Sequence, residues 1–202
     1  MKIAFLGLGR MGQGMAHLLV KDGFQLNVFD VFPDAAKSLV EAGATFMPTI
    51  AEAVADRDVV ITMLPTDGIL ENVIAGEGGL LESMPAGATH VIMGTHGIDM
   101  VRKATKLHTD AGQIFVAAHV LGRPDLAASG QLTIVPAGPE AKVKSLQPIF
   151  DILGKQTFYA GEEPQAASAV KIANNFVLGC AIEVMGEAMA LVQKLGGDKN
   201  MF

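Results

Sequence analysis

The chain has 202 residues, half of them hydrophobic and only 18% charged, with a net charge of −6. No lysine–arginine cluster offsets that acidity, which sets nucleic-acid binding aside and fits one substantial domain with a real core and room for an appendage. The one cysteine, Cys180, excludes an internal disulfide, and the amino terminus enters a strand without a signal-peptide layout, so a cytoplasmic location is expected.

The first element is the apolar run Ile3-Ala4-Phe5-Leu6. Directly behind it come Gly7-Leu8-Gly9-Arg10-Met11-Gly12 and a helical pattern with Met11, Met15, Leu18 and Leu19 on one face. Strand, glycine turn and helix in that order are what a dinucleotide pyrophosphate requires. The first glycine makes the tight turn, the second lets backbone approach the phosphates, and the third lets helix and strand pack closely. The helix amino terminus offers the anion free N–H groups and a partial positive charge. A second strand, Gln25-Leu26-Asn27-Val28-Phe29, ends in Asp30, 21 positions after Gly9. A carboxylate there hydrogen-bonds the adenosine ribose and repels a 2′-phosphate, and no arginine follows in Val31-Phe32-Pro33-Asp34. NAD is therefore expected over NADP. Asp30 also suits the start of the turn into the next helix, and the two roles are compatible.

Strand-like runs at 3–6, 26–29, 59–63, 90–93, 114–117, 132–136 and 157–159 alternate with helix-like runs at 11–21, 35–42, 50–55, 100–111 and 140–153. The alternation predicts an α/β fold, a Rossmann-type doubly wound and mainly parallel sheet. From 164 to about 195 nothing stops a helix, which at ~1.5 Å per residue runs roughly 50 Å, too long for one face of such a sheet. Residues 172–182 carry no charge, and apolar side chains from Phe176 to Val192 spread around the axis. A helix apolar all round needs covering all round. The polar residues Asn174, Asn175, Glu183 and Glu187 argue against membrane insertion. The organisation read here is a dinucleotide-binding domain at 1–162 and, at 163–202, a long interdomain helix that packs against a partner subunit or against a carboxy-terminal domain. Cys180 on that helix reads as a small buried hydrophobe.

Lys171 and Asn175 lie four apart on the helix and share a face. Burial lowers a lysine toward neutrality, which suits a proton donor and acceptor at a carbinol or carbonyl carbon. A snorkelling surface lysine accounts for the same spacing. His96 and His119 fall at strand ends, where such a sheet binds its ligands, although a packed, hydrogen-bonded histidine accounts for each equally. No Cys or carboxylate cluster stands at ligand spacing, so no metal is expected.

The extended glycine motif Gly7-Leu8-Gly9-Arg10-Met11-Gly12-Gln13-Gly14-Met15-Ala16, with Met63-Leu64-Pro65-Thr66 and Lys171-Ile172-Ala173-Asn174-Asn175, resembles the β-hydroxyacid dehydrogenases, relatives of 6-phosphogluconate dehydrogenase. The resemblance covers essentially the whole chain. It implies that Lys171 is the catalytic lysine and Asn175 a substrate contact. It implies that Leu8, Arg10 and Met11 share the cofactor turn with the glycines, that Leu64, Pro65 and Thr66 line the adenosine side, and that Thr95 lies near the nicotinamide. It implies, too, that the long helix bridges to an all-helical second domain.

This chain departs from the family at one loop. Where the family reads Asp-Ala-Pro-Val-Ser-Gly-Gly, it has Ala117-Ala118-His119-Val120-Leu121-Gly122-Arg123, and two glycines before the lysine are Gln165 and Ala167. Leu121 replaces a serine hydroxyl, and Arg123, with Gly122 and His119, is the candidate replacement for substrate binding, by a bidentate grip in the arginine's case. A solvated Arg123 paired with Asp125 is the plainer alternative. The expected activity is hydride transfer between NAD and a small hydroxy acid or semialdehyde. The altered loop leaves an imine reductase-like enzyme as an alternative, and the apolar helix leaves a non-catalytic NAD-binding association module.

Overall fold

The computed structural model describes residues 1–198, 200 and 201. The chain opens with β1 (Lys2–Leu6), α1 (Arg10–Lys21) and β2 (Gln25–Phe29). A 3-10 turn (Pro33–Ala36) leads to α2 (Lys37–Glu41), β3 (Thr45–Phe46), α3 (Ile50–Val54) and β4 (Val59–Thr62). Next come α4 (Asp67–Ala75), α5 (Leu80–Ser83), β5 (Thr89–Ile92), α6 (Ile98–Asp110) and β6 (Ile114–Leu121). The remainder is α7 (Pro124–Ala128), β7 (Leu132–Ala137), α8 (Glu140–Ser145), α9 (Gln147–Leu153), β8 (Gly154–Thr157) and α10 (Gln165–Lys194).

These strands form one sheet in the order β3-β2-β1-β4-β5-β6-β7-β8. All pairings are parallel except β6 with β7. The chain leaves β1 toward β2 and β3, then returns to place β4 on the other side of β1. That reversal opens a crevice beyond the carboxyl ends of β1 and β4, the place where such sheets take ligands. Strands covered on both faces are predominantly apolar, and every residue of β4 and β5 is buried, the polar Thr62 and His90 bonding each other. One core layer packs α1, α9 and their neighbours around Phe5, Met15, Leu19 and Phe150. The other gathers Leu6, Leu70, Ile74, Leu80 and Val101 on the opposite face.

Several boundaries differ from the sequence reading, each for a local reason. The helix expected at 140–153 is two helices meeting at Leu146, because Pro148 in the first turn of α9 has no N–H to continue the ladder. The segment expected as a helix at 35–42 begins as the 3-10 turn, with Pro33 at its start. The last strand begins at Gly154 rather than at 157, since only glycine can sit so close to the Leu132 carbonyl, 2.5 Å from where a Cβ would stand. Residues 158 and 160 nevertheless still donate to the Ile134 and Pro136 carbonyls. Three short helices, α4, α5 and α7, had no counterpart in the reading. The first is capped by the Thr66 hydroxyl, which accepts from the Ile69 N–H at 3.3 Å.

The long helix forms as expected, 30 residues of it, running about 45 Å at ~1.5 Å per residue. Among its described residues only Ala167 and Ser168 are buried. From Ile172 onward the apolar side chains stand in solvent, Phe176 71% exposed and Ile182 63% exposed. Cys180 is exposed with them, which corrects its reading as a buried hydrophobe. By length and composition α10 could cross a membrane, with a mean hydropathy of 1.5 over its most apolar stretch.

Candidate active site

The carboxyl ends of β1, β2, β4 and β5 bring Gly7 to Gly12, Asp30, Leu64 to Thr66 and Thr95 to one edge of the sheet. The glycine turn is built as its spacing demands. Gly7 has a φ of 95°, a left-handed conformation suited to glycine, and its N–H donates to the Phe29 carbonyl at 3.0 Å. A Cβ on Gly7 would stand 2.5 Å from the Met63 carbonyl oxygen, and one on Gly12 would collide with the Gly7 carbonyl oxygen. Gly9 is the opposite case: a Cβ there meets nothing within 4 Å. The middle glycine therefore answers no need of the protein's own packing, and the open space over it fits a ligand approaching the backbone.

Gly9 is also the N-cap of α1, without a side-chain cap and with no acidic residue in the first turn. The amino-terminal N–H groups of a 12-residue helix are thus left to an anion. Asp30 completes the turn. One carboxylate oxygen accepts the Leu8 N–H at 2.7 Å and the other accepts the Phe32 N–H at 2.9 Å. The carboxylate fixes the glycine loop from behind and keeps lone pairs free for ribose hydroxyls, so both roles read from the sequence fit its placement. These residues fit a bound dinucleotide.

Around that turn, Leu64 is half-buried, while Pro65, Thr66 and Thr95 are exposed at the same edge. His96, two residues past Gly94, is buried. Its Nδ1 faces an Asp67 carboxylate oxygen at 3.0 Å, and its Nε2 has no partner. Burial lowers the affinity of this ring for a proton against the pull of Asp67.

On the other side of the edge stands Lys171, near the start of α10. Its Nζ donates to the Val120 carbonyl at 2.8 Å, and its half-burial pulls its pKa below the usual lysine value. Asn175, one turn further along, is exposed. His119 is fully buried. Its Nδ1–H donates to the Gly94 carbonyl at 2.5 Å and its Nε2 accepts from the Ser168 hydroxyl at 2.7 Å. Both ring nitrogens are occupied within the protein, which corrects the expectation that this side chain meets a substrate. Burial holds its pKa down at about 4, so the ring is neutral at pH 7. Arg123 lies on the surface, 81% exposed, and pairs with Asp125 at 3.3 Å, the plainer of its two readings. Gly122, with a φ of 147°, makes the turn from the end of β6 toward Arg123 and α7. Among the described residues no group of three His, Cys, Asp or Glu could hold a metal ion.

Sequence reasoning missed Ser168 and Asp67. Ser168 carried no signal, lying among alanines; Asp67 could have been suspected as an acidic residue directly after the strand-end segment that holds Leu64 and Pro65.

Comparison with known proteins agrees with this geometry. Residues 2–161 match the family described as the NAD binding domain of 6-phosphogluconate dehydrogenase. An uncharacterized oxidoreductase of Bacillus subtilis, YfjR, is 38% identical over all 202 residues, which cover 71% of its length. The 3-hydroxyisobutyrate dehydrogenase of Pseudomonas aeruginosa is 34% identical over 97% of the chain and 65% of its own length. The structure of Mycobacterium tuberculosis 3-hydroxyisobutyrate dehydrogenase superposes with a TM-score of 0.91 at 30% identity, over 98% of this chain and 66% of that one. The chain thus spans about two thirds of the length of these relatives. With its glycine turn, its Asp30 and a match over most of its length, it belongs to the β-hydroxyacid dehydrogenase family and carries that family's NAD-binding domain.

Proposed function

We propose that the chain is the cofactor-binding part of a cytoplasmic NAD-dependent dehydrogenase or reductase for a small hydroxy acid or semialdehyde, with Lys171 as its general acid and base. The observation that carries this reading is the placement of Lys171, half-buried on the Val120 carbonyl beside the edge that bears the glycine turn.

The turn at Gly7, Gly9 and Gly12 would hold the pyrophosphate and Asp30 the ribose, with NAD preferred to NADP because a 2′-phosphate would face the Asp30 carboxylate. Bound nicotinamide supplies a hydride donor or acceptor. The protein supplies the proton. Desolvation brings Lys171 closer to neutrality than a surface lysine, so its ammonium can release and regain a proton at modest cost. One ammonium proton is held by the Val120 carbonyl, which leaves two to face a substrate oxygen. Asn175 shares that helix face and offers an amide to the substrate. The exposed apolar length of α10 supports a covering helical domain and a second copy of the chain as the partners of this helix.

Replacing Lys171 with Met tests the reading. Calorimetry should show NAD binding unchanged, while turnover of a β-hydroxy acid panel by the full-length protein falls by about 10²–10⁴. Undiminished turnover would remove Lys171 from the chemistry.

A further inference from the structure

We infer that His119 and Ser168 form a positioning link that sets Lys171 at the reaction edge, tying the first turns of α10 to the end of β5 through the core of β6. The inference rests on the proposed role of Lys171.

Ser168 and Lys171 lie three apart on α10 and so share a face. His119 and Val120 are neighbours in β6. Two rungs therefore join the helix to the strand: Ser168 to His119, and Lys171 to the Val120 carbonyl. A third contact, from His119 to Gly94, extends the tie to the loop that carries Thr95.

The polarity of this chain of hydrogen bonds is fixed. A carbonyl only accepts, so His119 Nδ1 must carry the proton toward Gly94. In the neutral ring Nε2 is then an acceptor, and the Ser168 hydroxyl must donate to it. His119 and Ser168 are both fully buried, and no polar atom of either side chain is left without a partner. The charged or titratable groups that face the ring are His96 and Lys171.

Among the described residues the apolar remainder of α10 makes no comparable hydrogen bond to the sheet, so these rungs, with the packing of Ala166 and Ala167 into the core, set how Lys171 enters the edge. Without the Ser168 rung the first turns of α10 are freer to lift, and Lys171 gains water.

The test uses the full-length protein in three forms: wild type, Ser168→Ala and Ser168→Thr. Acylation of Lys171 by an amine-reactive reagent is followed by peptide mass spectrometry across the lysine titration range. Nitrogen NMR reads the tautomer of His119, and calorimetry reads NAD binding. Wild type should show His119 protonated on Nδ1. Ser168→Ala should move the Lys171 midpoint up by about half a pH unit, toward the free-lysine value. Ser168→Thr, which keeps the hydroxyl, should restore the midpoint, and NAD affinity should be equal in all three.

A Ser168→Ala protein that melts earlier while its Lys171 midpoint stays put would overturn the inference, as would a His119 protonated on Nε2. Should Ser168→Ala fail to fold, His119→Asn keeps a donor for Gly94 and deletes the acceptor for Ser168. It must show the same upward midpoint, and an unmoved midpoint there overturns the link. Wild type that binds no NAD would sink the oxidoreductase reading and leave the midpoint to decide the link alone.

Discussion

Lowering the pH should unfold this protein through its buried histidines. His108 and His119 are fully buried, and burial holds each at about 4, against 6.5 for a free imidazole. His108 sits in a hydrogen-bonded chain that has no room for a second proton. Gln113 Nε2 donates to the Leu80 and Met84 carbonyls at 3.1 and 3.0 Å, so its oxygen must accept from His108 Nδ1 at 2.7 Å. His108 Nε2 then accepts from His90 Nδ1, and His90 Nε2 from the Thr62 hydroxyl, each at 2.9 Å.

The folded pKa lies below the unfolded one for both histidines. Their contribution is therefore complete above pH 6.5 and is lost as the pH falls toward 4, because the unfolded chain takes up the proton first. At 1.36 kcal/mol per pKa unit each histidine represents about 3 kcal/mol, and the two together about 7. That is comparable with the whole stability of a typical domain, roughly 5–15 kcal/mol. His90 moves the same way but is coupled to His108 and is not counted separately. Urea titrations followed by circular dichroism should show unfolding free energy falling by about 2–3 kcal/mol per pH unit near pH 5. The upper part of that window, pH 7 to 5, lies above the ordinary carboxylate range and so reports chiefly on the histidines. A free energy flat from pH 7 to pH 5 would refute the reasoning.

The glycine turn invites a paired test. Gly12→Ala forces a methyl onto the Gly7 carbonyl and should cost about 1–3 kcal/mol along with NAD binding, whereas Gly9→Ala meets nothing in the protein and should keep the melting temperature while losing the cofactor. Equal NAD affinity in Gly9→Ala and wild type, read by calorimetry, would empty that site. Asp30→Ala removes the acceptor of the Leu8 and Phe32 N–H groups and should both weaken NAD and narrow its preference over NADP. An unchanged ratio of the two affinities would deny the ribose contact.

The cofactor half of this site was legible because it is made of backbone, and backbone geometry is written in glycines. Gly7, Gly9 and Gly12 could be assigned separate tasks from spacing alone, and Asp30 followed from the end of β2. The parallel sheet was legible from the alternation of strand-like and helix-like runs along the chain. What escaped was set by contacts between distant segments. No local pattern says that Ser168 will find His119 49 positions away, or that His96 will lie against Asp67. The split of α8 from α9 was written in Pro148, but the amphipathic pattern ran through it. Gly154 looked like a helix end and proved to begin a strand, because the close approach that it permits belongs to β7.

Lys171 stands where the two kinds of legibility meet. Up to Ser168 the helix is held by the sheet, and one turn later it leaves the protein's own cover entirely. Lys171, the proposed general acid and base, is thus seated on the Val120 carbonyl, while Asn175 one turn further is exposed. On the proposed function, substrate choice would then fall to what packs over the exposed length of α10. The sheet therefore fixes the glycine turn, Asp30 and the base of Lys171 in one frame, and the proposed hydride and proton transfers would be positioned by that frame whatever covers the outer helix.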